Sequence, residues 1–547
     1  MKKFAAFALS LSLVVPALAG CGGGGGNSTA PAGGGSSTST PGAAVKQEVV
    51  FNAKSEPPDL NPLTSTDTTS FWIMDHLGEG LYTKDKDGNP ILGTAKEVKL
   101  SDDKLKYTFI LRDDAKWTNG EPVTAEDFAF TFMKHIDPAT ASTTAYLLYY
   151  IKGAEAYNKG TGKAEDVAIK AVDDKTLEIE LVAPTSYFDK MLATRYWHPI
   201  NKKAAEANPK WAANSDTYIS NGAYKLVSWK HDSELVIEKN ENFWNKDDVK
   251  MDKITWKMVN DATTSYQMYK SGELDFNKEM PSDILAQEKS SPDYKSVPYY
   301  GTYMYMFNVT KEPFTNKKVR RAFAMSIDRK ALTEMVSQGG ETPAYSMVPR
   351  GAITPSGKDF REEGGDYFKE DFEEAKKLLA EGMKEEGWST LPEVTLMYNT
   401  DEGHKKIAQA MQEMFKKNLG VDIKMTNQEW KVYLDTTRQK NYQMGRMGWV
   451  GQISDPAFNL DYYLGDSPNN RTGWVNKDYD ALNMAAKVEQ DPNKRMELLH
   501  KAEEILMDDM PFIPLYHYQQ NYLVKPGIEG LTYPVNAFPS ARWATRQ

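Results

Sequence analysis

One cysteine in 547 residues excludes most thiol chemistry at once. Cys21 lies near the N-terminus, so the rest of the chain has no disulfide framework, no cysteine-based metal site and no thiol nucleophile. Histidine is also sparse. His76, His135, His198, His231, His404, His500 and His517 are scattered and form no H-E-x-x-H pair. There is no G-x-S-x-G nucleophile elbow and no G-K-[ST] phosphate loop. Beyond the first fifteen residues no stretch approaches the roughly 18 apolar residues of a membrane-spanning helix. Surplus positive charge is missing as well: the formal net charge is −10, which argues against nucleic acid or an anionic lipid surface as the main partner.

Weaker signals are equally unproductive. Ser101 to Lys104 fits S-x-x-K in a polar run between two strand-like stretches, and a surface turn is expected there. Paired carboxylates among 76 acidic residues select nothing. Lys317 to Arg321, KKVRR, opens a helical stretch and is expected to be a solvated face. No catalytic constellation assembles, so the chain is not expected to be an enzyme, and it calls for no cofactor and no metal.

What the N-terminus does contain is a processing signal. Lys2 and Lys3 precede an apolar run from Phe4 to Val15, then small residues. That describes a secretory signal over residues 1–20 rather than a membrane span. Leu18-Ala19-Gly20-Cys21 resembles a bacterial lipobox, which implies cleavage before Cys21 and a lipid on its sulfur. Residues 21–45 then form a tether, and its Gly22 to Ala44 stretch is uncharged and rich in Gly, Ser, Thr and Pro. It cannot bury apolar surface, and its r.m.s. span is roughly 25–30 Å. The expected location is the extracytoplasmic face of a bacterial membrane, with contact through the anchor alone.

The body mixes strands and helices. Lys106–Arg112, Thr176–Val182, Glu234–Lys239, Glu393–Tyr398 and Val421–Met425 alternate apolar and polar residues as half-buried strands do. Asp371–Met383 and His404–Leu419 carry apolar residues at helical spacing, the second stopped by Gly420. Asp491 and Pro492 open a further helix. The segment from Glu393 to Met425 reads strand, helix, strand, a βαβ unit with a parallel pair. Aromatic residues recur at Tyr299, Tyr303, Tyr305 and Phe307, at Trp430 and Tyr433, and at Tyr516 and Tyr518. They suit either a core or a wet binding cleft. The stretch Arg446 to Pro456, RMGWVGQISDP, reads as a strand interrupted by Gly448 and Gly451, which fits a β-bulge or close approach of another backbone.

Several long blocks in the same order resemble the oligopeptide-binding proteins of ABC importers. They are SEPPDLNPL near Glu56, YTFILRDDAKWTNGEPVTAEDFAFTF from Tyr107, SNGAYKLVSWK from Ser220, the segment from Leu396 to Gln439, and LYHYQQNYLVKP near the end. The likeness implies an α/β, bilobal, class II periplasmic-binding-protein-like fold with three structural domains and a hinge. Domain I would be residues 46–69, 196–297 and 519–547, domain II residues 70–195, and domain III residues 298–518. The implied function is capture of an extended oligopeptide between two lobes by a monomer, and delivery to ABC permease subunits. A peptide-signal receptor on the same fold is the alternative.

Site residues also follow from the resemblance. Gly448, Trp449 and Val450 would carry the ligand backbone, with the glycines allowing close approach, and Glu56 and Pro58 would lie on its other flank. His404 and Arg446 would hold the peptide's carboxylate. Asn399, Trp430 and Tyr518 match cleft-lining positions. An arginine that relatives carry in LDTR is Thr437 here, with Arg438 one place later. The aspartate that relatives place after the tryptophan, to pair with the α-amine, is Gln452. Three readings of that departure stand open. Another acid, Asp455 or Glu56, takes the amine; or the ligand is an N-blocked or modified peptide or a non-peptide solute; or neutral acceptors hold the amine weakly.

Overall fold

The computed structural model describes residues 45–185 and 187–547. The signal segment, Cys21 and all but the last residue of the tether lie outside the described residues. Three sheets of four or more strands carry the architecture. One has four strands in the order Glu48–Asn52, Lys253–Lys257, Glu234–Lys239, Tyr224–Lys230. Another has four in the order Ala95–Leu100, Lys106–Leu111, Thr176–Glu180, Ile169–Asp173. In Thr176–Glu180 the alternation works as expected: Leu177 and Ile179 are fully buried and their neighbours are not.

The largest sheet positions the site. Its main strands are β1 (Tyr294–Phe307), β2 (Thr395–Asn399), β3 (Lys424–Gln428), β4 (Met444–Val450) and β5 (Phe512–Val524). Their order is β5-β1-β4-β2-β3, with Phe276–Asn277 and Thr342–Pro343 pairing β5. β2 and β3 are parallel and joined by α2 (Glu402–Leu419), the βαβ unit expected. The second strand starts three residues later than its alternation suggests. Val421 and Ile423 are buried in the approach, but the ladder begins at Lys424. Helix α2 has clear ends. Asp401 caps it by accepting from His404 N, and Gly420 closes it at φ 73°, donating to Lys416 and Phe415.

Three large apolar cores form. The first packs both faces of the largest sheet, drawing on Met304, Phe307, Phe323, Leu396, Met444 and Phe512. A second gathers residues between Phe71 and Trp197, joined by Ile453 and Phe458. The third combines the N-terminal strand with residues between Leu60 and Leu77, residues 200–276 and the C-terminal stretch 522–544. Each fully buried Leu or Phe stabilises by roughly 1.5–3 kcal/mol.

The KKVRR face departs from expectation. Helix α1 (Lys317–Met325) does expose Lys317 and Lys318 to carboxylates, but Arg320 is buried. Its guanidinium donates to the carbonyls of Phe314, Asp509 and Met510, which ties the helix to the end of Pro492–Asp509. Ser101–Lys104 is an exposed turn. No helix among the described residues is long and apolar enough to cross a membrane.

Candidate functional site

β4 carries the site because one of its edges is largely free. Seven residues, from Met444 to Val450, pair antiparallel with β1 without interruption, so β4 itself contains no bulge. The irregularity falls on β1, between Pro298 and Thr302 against β5. On its other side β4 pairs with β2 only at Met444 and Gly445. Beyond that point β2 leans away with β3. Gly451 N donates to Tyr300 O at 3.0 Å, so by the alternation of an antiparallel ladder Arg446, Gly448 and Val450 turn their amides and carbonyls to the free edge. The carbonyl of Arg446 is taken by the Tyr433 hydroxyl from α3 (Trp430–Arg438); those of Gly448 and Val450 face a cavity of about 610 Å³. That volume suits a small-molecule or short-peptide ligand.

At the start of this edge stands an arginine without an anion. Arg446 is 9% exposed and lines the cavity. Its guanidinium donates to Asn399 Oδ1 at 3.3 Å and to the Tyr518 hydroxyl at 3.1 Å, and lies 4.5 Å above the Tyr303 ring. Its Nε is buried with no partner. A buried cation held by neutral acceptors is costly until a carboxylate arrives. His404 at the start of α2 completes the wall. Its Nδ1 lies 3.1 Å from the Tyr303 hydroxyl. Burial, reinforced by Arg446, pushes its pKa down to about 3 against the pull of Asp401, so it is neutral at pH 7.

A second arginine explains the altered LDTR position. Buried Arg471 also lines the cavity and donates to Thr437 Oγ1 at 2.7 Å, with its Nε unpartnered. Arg471, from another loop, thus brings a guanidinium to Thr437. Arg438 points away, to Thr66 and Asp435.

An ionic cluster closes the cavity on the far side. Lys54 pairs with Glu279 at 2.9 Å and with Asp401, and Lys278 pairs with Glu279 at 2.6 Å. Lys54 and Glu279 belong to the segments around the first four-stranded sheet, Asp401 to the start of α2. The cluster therefore spans the cleft. Burial works against Glu279, but Lys278 and Lys54 overcome it and hold its pKa down to about 2. These residues carried no sequence signal, since Lys54 and Asp401 lie 347 positions apart.

Asn399, His404, Trp430, Arg446, Gly448, Trp449, Val450 and Tyr518 come together around the cavity. The flank is different from expectation. Glu56 and Pro58 do not line it; Lys54 and Ser55 do. Glu56 accepts from Asp232 N at 2.8 Å and pairs with His231 at 2.7 Å, outside the cleft. Asp455 is also spent: it caps the helix Pro456–Leu460 and holds Arg495 through both oxygens. Gln452 is buried just past the end of β4, bound by Arg195. The glycines have a different cause from ligand approach. A Cβ on Gly448 would collide with the Tyr518 hydroxyl, and one on Gly451 with the Tyr300 ring at 2.7 Å and Asn459 at 2.8 Å. Their space is filled by the protein itself. Trp449 is fixed by Nε1 donating to Phe458 O at 2.9 Å and by the Tyr462 ring at 4.7 Å.

Comparison with known proteins agrees with this architecture. Residues 89–471 match the family described as bacterial extracellular solute-binding proteins, family 5. The dipeptide-binding protein DppE of Bacillus subtilis is 41% identical over 495 residues, covering 90% of this chain and 91% of its own. The oligopeptide-binding protein OppA of the same organism is 42% identical over 499 residues, covering 89% and 91%. Listeria monocytogenes OppA bound to peptide superposes with a TM-score of 0.86 at 33% identity, covering 92% of this chain and 99% of that one. The Escherichia coli murein tripeptide-binding protein MppA matches at 0.84 in one structure and at 0.62 in its unliganded open form. The lobes of the present chain therefore stand in an arrangement unlike that open form. The chain belongs to family 5 of the bacterial extracellular solute-binding proteins.

Proposed function

We propose that this chain is an extracytoplasmic binding protein that captures short extended peptides between its lobes and passes them to ABC permease subunits. The observation that carries the reading is the buried Arg446, without a carboxylate partner, at the head of the free edge of β4. A peptide laid along that edge adds a strand. Its main-chain groups meet Gly448 and Val450 whatever its sequence, and its carboxylate meets Arg446. Asn399, His404, Trp430, Trp449 and Tyr518 line its path, while Arg471 offers a further cation near the carboxylate end. Aromatic walls give contact area without demanding one side chain. Binding rather than turnover is the role of the family.

The division into domains I (46–69, 196–297, 519–547), II (70–195) and III (298–518) is supported by the three cores, which follow these segments except that Trp72, Ile73, Met74 and Leu77 pack in the core of domain I and Tyr196, Trp197, Ile453 and Phe458 in that of domain II. Lipidation of Cys21 would keep the protein at the membrane, with residues 22–44 as the tether; the lipobox-like sequence supports it. A Cys21→Ala variant should then leave the detergent phase and appear in the medium; retention in the detergent phase would refute the anchor. For the ligand, the test is mass spectrometry of small molecules released from the purified protein by denaturation. Peptides of a few residues and mixed sequence are expected, and recovery of a single non-peptide solute would refute the reading.

A further inference from the structure

Past Val450 lies a separate small recess of about 10 Å³, room for about one water, which shares Thr68, Tyr299, Val450 and Phe538 with the cavity and is further lined by Asp75, Arg195 and Gln452. A peptide whose carboxylate lies at Arg446 and whose backbone follows β4 points its other end here. The polar groups of the recess are already committed in one direction. Arg195 is 3% exposed. Its Nε and one terminal nitrogen grip both oxygens of Asp75 at 2.8 and 2.6 Å. The remaining terminal nitrogen donates to Gln452 Oε1.

That last bond fixes the glutamine. A guanidinium has donors and no acceptor, so the Gln452 amide can face it only with its carbonyl. The Nε2 donor is left on the side of Val450, whose carbonyl lies at a long 3.4 Å. Gln452 thus offers hydrogens to a ligand, not a lone pair. Charge points the same way. Arg195 and the nearby Lys84, whose Nζ lies 3.5 Å from Asn536 in the recess wall, stand against the single carboxylate of Asp75. Burial, with Arg195 adding to it and Asp75 opposing it, pushes Lys84 down to about 8. The other acids that could serve an amine are occupied: Asp455 by Arg495, Glu56 by His231, and Asp67 by its cap on Thr69 and Ser70.

We propose that this end of the cleft takes a neutral, N-acylated peptide terminus in place of a free α-ammonium, Gln452 donating to the acyl carbonyl and Arg195 acting as the residue that positions it. The inference rests on the peptide-binding reading. An ammonium here would meet the Gln452 donor beside Arg195 and Lys84, with only Asp75, already held by Arg195, against them, whereas an acyl carbonyl supplies the acceptor that Gln452 lacks.

The test uses the whole protein and a randomised pool of tri- to pentapeptides made in free-amine and N-acetyl forms, mixed equally. Bound peptides are counted by mass spectrometry. Roughly tenfold or greater enrichment of the acetylated form is expected. Equal retention, or preference for the free amine, overturns the inference and leaves the peptide reading standing. Retention of neither form overturns the peptide reading and the inference with it. In Gln452→Asp the added carboxylate should move the ratio toward the free amine by about tenfold. In Arg195→Gln the amide is free to turn its carbonyl outward, so the ratio should fall toward one. The wild-type ratio decides the matter even where a variant is unstable.

Discussion

At the scale of single residues, the site is built from side chains that restrain one another. Gly448 makes room for the Tyr518 hydroxyl, and that hydroxyl accepts from Arg446. Gly448→Ala must therefore move Tyr518 and release Arg446. It is expected to cost about 1–3 kcal/mol of stability and to weaken peptide binding, with Tyr518→Phe in the same chain recovering stability but not affinity. Thermal melts and calorimetry of wild type and the two variants check this; a fully active Gly448→Ala protein would contradict it. Some of this was legible beforehand. A strand with glycines next to a tryptophan signals that something comes close, and Arg446, His404 and Tyr518 follow from resemblance. What came close was not legible, because Tyr518 and Gly448 are 70 positions apart and only the ladder of three strands brings them together. The same holds for Arg195, whose partner Gln452 lies 257 positions away.

At the scale of elements, function depends on a sheet that stops pairing. β2 holds β4 for two residues and then follows β3, which leaves the edge from Arg446 to Val450 to a ligand. If a peptide completes that edge, methylating its backbone nitrogens must matter in alternation. A methyl on a nitrogen that faces β4 should weaken binding by about 0.5–1.5 kcal/mol, up to roughly tenfold, and a methyl on its neighbour should do little. A scan of N-methylated peptides by calorimetry reads this, and uniform effects along the peptide would contradict strand addition. The helices were the most readable elements. Gly420, Asp491 and Pro492 mark ends where the structure has them, and the helix read from His404 begins two residues earlier, at Glu402. Strand boundaries were less so, since Val421 and Ile423 alternate like a strand but pack before the ladder starts.

At the scale of the whole molecule, closure and stability carry different pH signatures. Burial holds His135 and His198 down to about 4 and His404 down to about 3. Their unfolded counterparts take up protons near pH 6.5, so the stability these groups retain above that pH is lost as pH falls from 6.5 toward 4. Each contributes up to about 1.4 kcal/mol per pH unit across that window. Denaturant melts should show the loss, while peptide affinity shows no step near pH 6.5 because His404 is neutral there. An affinity that titrates near pH 6.5 would contradict this assignment. The Lys54 cluster loses its contribution in the same direction but at lower pH. Glu279 and Asp401 are held below the ordinary carboxylate range, so their bridge persists above about pH 4.5 and is lost as pH falls toward 2. Lys54→Met should leave two carboxylates facing each other across the cleft and loosen closure. X-ray scattering of the ligand-free variant is expected to show a larger radius of gyration than wild type at pH 7, and an unchanged radius would remove the cluster from the closing device.

The central claim is that a peptide lies along β4 with its carboxylate on Arg446, and one measurement meets it directly. The tightest peptide recovered from the protein is titrated by calorimetry as its free carboxylate and as its C-terminal amide, in wild type and in Arg446→Met. In wild type the amide should bind about a hundredfold more weakly, in keeping with the roughly 1.5–3 kcal/mol of a charge-assisted hydrogen bond, and in Arg446→Met the two forms should bind alike. Equal binding of the two forms to the wild-type protein would contradict the account.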